Sequence, residues 1–311
     1  MNLVQTKHQN CCCCNSNNSV AICKGIDFEY KTCSNDFYYH ECKNCGHIFL
    51  KNVPIQDELS TIYPPNYENY SKERNTSLAY KVKSKLDLLS LKKTKKYIKN
   101  IDSIIDIGCA DGNTLDIFKK VFPSIKNIEG VEISLVAAKG AIEKGYKVII
   151  GSADELNFDK DKYDVITIQQ VIEHVYRPEI LIGKLSLALK KGGLLIIETP
   201  TNECLDLKLF KKRYWGGYHI PRHFNIFSKK GIKNISYQFN LQLISEEYKP
   251  QPGHWIWTFH HLLMEYKFPQ PIISFFYMTN PLLLGIFTIV ELIQSAFTNR
   301  MSNMRIILKK V

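Results

Sequence analysis

The chain has 311 residues, enough for one catalytic-sized domain and a small companion. With 45% hydrophobic and 23% charged residues, its composition is globular and excludes wholesale disorder, a collagen-like repeat and a multi-span membrane protein. The formal charge of +11 favours acidic partners, but eight lysines against one acid between Lys81 and Lys99 supply +7 of it, so one helix is basic rather than the whole surface.

The first ten residues have no apolar core of the length a secretory signal needs, so the expected compartment is a reducing cytosol. There, clustered cysteines bind metal or do chemistry rather than form disulfides. Eight of the ten cysteines precede residue 46. Cys11 with Cys14, and Cys42 with Cys45, form two C-x2-C pairs, each able to aim two thiolates at one ion. Together they complete a tetrahedral four-sulfur shell for a structural zinc, with no open position for catalysis. The 27 intervening residues include Phe28-Glu29-Tyr30 and Phe37-Tyr38-Tyr39-His40, read as short strands. The run Cys11 to Cys14 leaves the ligand register open, and the alternative is a set of unligated thiols in a disordered head. The expected layout is a zinc-ribbon head at 1–53 and an aromatic arm at 54–80, broken by Pro64-Pro65. The tyrosines of that arm serve either to pack it on the next domain or to form part of a lid.

From residue 81 to 311 the pattern is α/β, with the lysine-rich helix preceding the first strand. Short apolar runs predict strands at Ser103–Ile107, Asn127–Val131, Lys147–Ile150, Val165–Gln169, Leu194–Glu198, Gln242–Tyr248 and Met304–Leu308, with helices between the first five. Such alternation predicts a doubly wound, seven-stranded Rossmann-like sheet with ligands at the C-terminal strand edge. The sharpest local signal is Asp106-Ile107-Gly108-Cys109-Ala110-Asp111-Gly112, a strand ending in an acid and turning through glycines where backbone can approach a ligand. Glu132 ends the second strand, placed to accept both hydroxyls of a ribose, and Asp154 follows the third, placed for an adenine amino group. A Gly-Lys-Ser/Thr loop is absent, which excludes a P-loop triphosphate site. A dinucleotide would bring its pyrophosphate against the Asp111 carboxylate, which repels it yet suits a sulfonium with an ammonium group.

These residues, with Tyr163 to Val175 and Lys191-Gly192-Gly193-Leu194-Leu195, resemble the motifs of class I S-adenosylmethionine-dependent methyltransferases. The paired-cysteine head and the Tyr63-Pro64 arm resemble the subgroup with an N-terminal zinc ribbon, often associated with sugar, surface-polysaccharide and secondary-metabolite pathways. One departure is Ala110, where the family most often has Gly. The resemblance implies that Asp106, Gly108 and Gly112 contact the methionine half of the cofactor and that Glu132 takes the ribose. It implies also that Ala153 and Asp154 hold the adenine and that Gln170 sits beside the cofactor.

For proton transfer the candidates are His174 and Glu173 after the fourth strand, though the pair could instead cap the following helix. Some relatives in the ubiquinone-pathway group hold a divalent metal with a Glu-x-x-Glu-His array. Gln170 in the first position makes a catalytic metal unexpected here. A second cluster, Trp215 to Phe224, offers His219 and His223 as base or donor and Arg222 as a clamp for phosphate or carboxylate, against the alternative of a packed loop.

Between Tyr248 and Met304 lie 55 residues, among them 23 uncharged ones from Phe268 to Val290. They predict an apolar helical insert at 250–302, split at Thr279-Asn280-Pro281 into a pair that lies on a membrane interface through 268–298, covers the active site, or forms a homodimer contact. Spanning is not expected, because the last strand must return to the sheet. The expected activity is methyl transfer to a small molecule, such as a sugar, nucleotide-sugar or lipid-linked intermediate, in the cytoplasm or at the inner face of the membrane. Nucleic acid is not an expected partner. The competing readings are an RNA methyltransferase and a non-catalytic scaffold.

Overall fold

A computed structural model describes residues 2–64, 67 and 78–311 of the protein. Pro65, Asn66 and Glu68 to Tyr70 of the aromatic arm lie outside the described residues. The head holds β1 (Thr6–His8), β2 (Ser19–Gly25), β3 (Phe37–Cys42), β4 (Ile48–Leu50) and β5 (Asn52–Pro54), followed by the short helix α1 (Leu59–Ile62) and then α2 (Leu78–Thr94). The expected strand at Phe28-Glu29-Tyr30 is a turn instead. The Asp27 carboxylate accepts the N–H groups of Tyr30 and Thr32 at 3.1 and 2.9 Å, an alternative to ladder pairing that short polar side chains favour.

The body follows with β6 (Ser103–Ile107), α3 (Asn113–Val121), β7 (Asn127–Glu132), α4 (Leu135–Glu143), β8 (Lys147–Ile150), β9 (Tyr163–Gln169), α5 (Pro178–Ala188) and β10 (Leu189–Pro200). After these come α6 (Leu205–Phe210), β11 (Asn225–Ile226), α7 (Lys229–Tyr237), β12 (Leu241–Lys249), α8 (Pro252–Glu265), α9 (Gln270–Phe275), α10 (Pro281–Thr298) and β13 (Asn303–Lys310). Seven strands form one sheet in the order β12-β13-β10-β9-β6-β7-β8, parallel except that β13 runs against both of its neighbours. Because helices cover the parallel strands, their side chains are apolar in succession, as in Ile104-Ile105 and Leu194 to Ile197, all buried. The chain order reverses beside β6, which opens a crevice at its C-terminal end.

One expectation on helices differs from the structure. Between β8 and β9 the chain makes turns rather than a helix. Its Asn-Phe-Asp-Lys-Asp-Lys sequence favours side-chain-to-backbone bonding over a helical run. In the insert, α9 and α10 lie within the apolar run 268–298, and α8 precedes them. The break between α9 and α10 falls at the expected place, where Asn280 caps α10 by accepting from Leu282 and Leu283.

The head is not a free-standing bead. Its four-stranded antiparallel sheet, β11-β4-β3-β2, takes β11 from the loop that follows β10, so the body donates an edge strand to the ribbon. The Tyr39 hydroxyl, buried under that loop, donates to the carbonyls of Tyr218 and His223.

Candidate active site and cysteine centre

The candidate cofactor residues lie at or just beyond the C-terminal ends of parallel strands, with Asp106 near the end of β6 and Glu132 the last residue of β7. Beyond β6, Gly108 and Cys109 both donate N–H to the Val131 carbonyl, at 2.8 and 3.0 Å, which locks the glycine turn onto β7. Gly108 has φ +77°, and a side chain there would run into Val171. That turn therefore demands glycine on two counts. Asp106 is buried and accepts the Thr167 hydroxyl. Glu132 closes the rim: its carboxylate accepts from Ala110 N at 3.1 Å and Ser134 N at 3.1 Å, while burial pushes its pKa upward. Ala153 and Asp154 follow β8, whose loop is tied to Glu132 by Gly151 N to the Glu132 carbonyl at 3.0 Å. Gly112 begins α3 in a left-handed conformation, and Gln170, also left-handed, binds Asn303 of β13 at 3.0 Å. The sequence-expected cofactor residues thus share one edge of the sheet.

Beyond β9 and β10 the structure brings three histidines together. The ring centroids of His174 and His223 are 4.7 Å apart, and those of His219 and His223 are 5.1 Å apart. His174 Nδ1 lies 3.0 Å from the Arg222 carbonyl, which can only accept, so Nδ1 carries the proton and Nε2 is left as the basic nitrogen. Burial lowers the His174 pKa to about 3 and holds His223 well below its ordinary value, so both rings are neutral at physiological pH. His223 Nδ1 is turned to the Gly217 carbonyl at 2.8 Å. His174 therefore differs from the expectation of a base poised near neutrality.

Tyrosines of the arm reach this cluster: the Tyr63 hydroxyl is 3.0 Å from His174 Nδ1 and the Tyr67 hydroxyl 3.2 Å from His219 Nε2. The sequence did not show that these tyrosines meet the two histidines, nor did it single out Glu29, whose buried carboxylate sits against His219 Nδ1 and 3.7 Å from His261 Nε2. Burial raises the Glu29 pKa to about 7. One signal for it was present, an acid flanked by two aromatics. Glu29 also lines a cleft of about 400 Å³ between the head and the insert, with Phe28, Lys31, His260, Lys267 and Phe268 around it.

Two expected catalytic residues have structural work instead. Arg222 is wholly buried and forms a two-pronged pair with Asp27 at 3.1 and 3.0 Å. Its Nε donates to the Ile62 carbonyl at 2.7 Å and its plane lies over the Tyr30 ring, so the guanidinium clamps the head to the body rather than a substrate. Glu173 is likewise buried, accepts the Thr199 hydroxyl at 2.9 Å, and is raised to about 8 by burial, so it stays protonated at pH 7. One carboxyl oxygen meets the strand through Thr199, and the carboxyl also lies within 4.8 Å of ring nitrogens of His174 and His223.

In the head, Cys11, Cys14, Cys42 and Cys45 bring their sulfurs within 4.8 Å of one another. The cross-pairs Cys11–Cys45 and Cys14–Cys42 stand at 3.4 and 3.5 Å. Sulfurs bound tetrahedrally at about 2.3 Å would be about 3.8 Å apart, so the four thiols fit one zinc ion after a small expansion. Gly46, at φ +73°, completes the Cys42–Cys45 turn by donating to the Cys42 carbonyl at 2.8 Å.

The insert presents an unusual helix. Leu282, Ile286, Ile289, Ile293 and Phe297 of α10 are all exposed and follow each other at three- and four-residue steps, a continuous apolar stripe. The opposite side buries Leu283, Phe287, Glu291 and Gln294. By length and composition α10 could cross a membrane, with a mean hydropathy of 1.6. The Glu291 carboxyl, however, accepts from Gln251 N at 3.0 Å and Ser302 N at 2.9 Å, which fastens the helix to both sheet connections.

Comparison with known proteins gives a consistent result. A family model described as a methyltransferase domain matches residues 71–246. The ubiquinone biosynthesis O-methyltransferase of Pelagibacter ubique is 31% identical over 114 residues, covering 35% of this chain and 46% of that protein. Its namesake in Colwellia psychrerythraea is 32% identical over 101 residues, with 31% and 41% covered. The chain spans about half, or less, of the length of the curated relatives it matches. Among solved structures, an S-adenosylmethionine-dependent methyltransferase from Thermotoga maritima has a TM-score of 0.50 at 15% identity, covering 80% of this chain and 98% of that one. A methyltransferase-like protein of Bacillus halodurans also gives 0.50 at 15% identity, with 72% and 99% covered. Both share the fold.

Proposed function

The chain belongs to the methyltransferase-domain family, and we propose that it transfers a methyl group from S-adenosylmethionine to a small molecule carrying an anionic or lipid-linked group, such as a sugar, nucleotide-sugar or lipid-linked intermediate. The observation that carries this reading is the gathering, at one sheet edge, of the Gly108 turn and Glu132 rim with the His174, His219 and His223 group. When bound, the cofactor supplies a methyl carbon made electrophilic by positive sulfur. Asp106 and Glu132 offer the carboxylates that suit its ammonium and ribose groups, Gly108 and Gly112 admit it to the backbone, and Ala153, Asp154 and Gln170 border its other end. The protein then has mainly to align an acceptor, a task worth roughly 7–11 kcal/mol.

His174 supports the acceptor side. Its Nδ1–H is held by the Arg222 carbonyl, and a ring kept neutral by burial presents Nε2 as a hydrogen-bond acceptor that can orient a donor group of the substrate. His219 and Tyr67 extend the same polar group toward Glu29 and the cleft lined by Lys31 and Lys267, a charge pattern suited to an acidic head group. The Cys11, Cys14, Cys42 and Cys45 shell is proposed to hold a structural zinc that shapes the ribbon. The α10 stripe is proposed to rest on the inner face of a membrane, peripherally, which would bring lipid-linked acceptors within reach. Tritiated methyl transfer into fractionated cell extract tests the function: incorporation by the wild-type chain and none by Glu132→Ala supports it. Absence of incorporation in every fraction contradicts it.

A further inference from the structure

Four cysteines in a row pose a geometric question that the fold answers. Cys11 and Cys14 stand at the two ends of a tight turn, closed by Asn15 N to the Cys11 carbonyl at 2.7 Å, and meet the Cys42–Cys45 pair. The two cysteines between them gather with His47, and the Cys13 thiol also touches those of Cys11 and Cys45. The Cys12 sulfur lies 3.9 Å from Cys13 Sγ, 3.4 Å from His47 Nε2 and 3.3 Å from Asn225 Oδ1. His47 Nε2 is in turn 3.1 Å from Asn225 Oδ1. Ligands bound tetrahedrally at about 2.0–2.3 Å must stand about 3.3–3.8 Å apart, so these separations match a metal shell with little adjustment.

The surroundings favour a cation over a proton. His47 is fully buried, as is Cys13, and the Asn225 amide is oriented by donating Nδ2–H to the Val175 carbonyl at 2.9 Å. That leaves Oδ1 aimed at the same point as Cys12 Sγ and His47 Nε2, the kind of outer support that orients metal ligands. With protons alone, the Cys12 thiol and the His47 ring both turn to the one Asn225 oxygen, whereas a divalent ion is ligated by every atom that converges there.

We propose that Cys12, Cys13 and His47 hold a second zinc ion, separate from the Cys11, Cys14, Cys42 and Cys45 shell, with Asn225 Oδ1 as its fourth ligand. Both thiols lose their protons to solvent as the ion binds, which gives a dithiolate site. Three of the ligands belong to the head and the fourth to β11, so the ion ties the ribbon to the body. Asn225 also grips Val175, the residue after His174, and the second ion thereby steadies the loop that carries His174. The inference rests on reading the neighbouring four thiolates as a zinc shell, and the experiment separates the two claims.

The full chain is purified anaerobically with a phosphine reductant and no chelator, and its bound zinc is counted by native mass spectrometry and atomic emission. Two zinc ions per chain are expected, falling to one in His47→Ala and in Cys12→Ser with far-ultraviolet circular dichroism preserved. One ion in the wild type, retained in His47→Ala, overturns the second site and leaves the first standing; none in the wild type overturns both. Two ions that survive in both variants also overturn the proposal. Should the variants lose their fold, cobalt titration of the wild-type apoprotein decides. Thiolate-to-cobalt absorption should keep growing through the second equivalent, and saturation at one equivalent refutes the site.

Discussion

Replacing Arg222 with Met separates a structural clamp from a substrate clamp. In the folded chain the guanidinium has no exposure and spends its donors on Asp27 and on the carbonyls of Ile62 and Ile220. Its Asp27 partner is held well ionised, by the Arg222 charge together with the Thr32 N–H and hydroxyl, despite the opposing effect of burial. Removing Arg222 leaves that carboxylate buried without its counter-charge, and breaking such a pair from one side costs about 3–5 kcal/mol. For a chain of this size the loss corresponds to a fall in Tm of roughly 6–10 °C, taking about 2 °C per kcal/mol. Scanning calorimetry on Arg222→Met, Asp27→Asn and the double variant measures it. The double variant should recover most of the loss, because no unpaired charge remains. An unchanged Tm in Arg222→Met, with a raised KM for the acceptor alone, would refute the structural assignment and restore the substrate clamp.

Further outcomes follow from the same geometry. His174→Ala should lower kcat by about 10- to 100-fold with cofactor Kd unchanged, as loss of one orienting hydrogen bond worth roughly 1–3 kcal/mol does; parallel loss of cofactor binding in a binding titration would make the residue structural. Stability should decline above pH 6.5. Burial raises Glu173 and Glu291 to about 8, so the folded chain holds those protons more tightly than the unfolded chain does. The stability they contribute is complete below about 4.5 and is lost as pH rises through 8. The lowered His174, His254 and His261, at about 3, 4 and 4, act in the opposite direction and only below about 6.5. Glu291→Gln should flatten the alkaline limb of a Tm–pH profile, and a Tm that climbs from pH 6.5 to 8.5 in the wild type would contradict the assignment. Ile289→Lys combined with Ile293→Glu should abolish co-sedimentation with anionic vesicles while leaving calorimetric stability within about 0.5 kcal/mol, as for exposed positions. Undiminished sedimentation, or a wild-type dimer that these changes dissociate, would assign the stripe elsewhere.

How much of this was legible beforehand depends on the range of the interactions. The sheet strands were readable because strands buried on both faces must be apolar in succession, and Ser103–Ile107 appears as expected. The placement of the two rim acids was readable too: Glu132 ends β7 and Asp154 follows β8, positions set by local geometry at strand ends. Arg222 was not, since its partner lies 195 residues earlier and a charged residue in a Pro-Arg-His loop looks exposed without that partner. The same distance effect hid the Tyr63–His174 contact and the two-residue strand Asn225–Ile226, which is too short to carry a period. The turn at Phe28-Glu29-Tyr30 was misjudged because aromatic residues favour strands, whereas the Asp27 side chain captures the backbone first. Of the four consecutive cysteines, sequence could supply only the pair spacing; the direction of Cys12 and Cys13 depends on His47 and Asn225.

Isothermal titration of the full chain with S-adenosylmethionine addresses the cofactor assignment without any knowledge of the acceptor. One equivalent should bind, and Glu132→Ala should weaken that binding by at least about tenfold, the loss of roughly 1.4 kcal/mol expected when a carboxylate–hydroxyl contact is removed. A wild-type chain that is folded yet gives no heat with S-adenosylmethionine, or that binds a nicotinamide dinucleotide at the Glu132 rim instead, would contradict it.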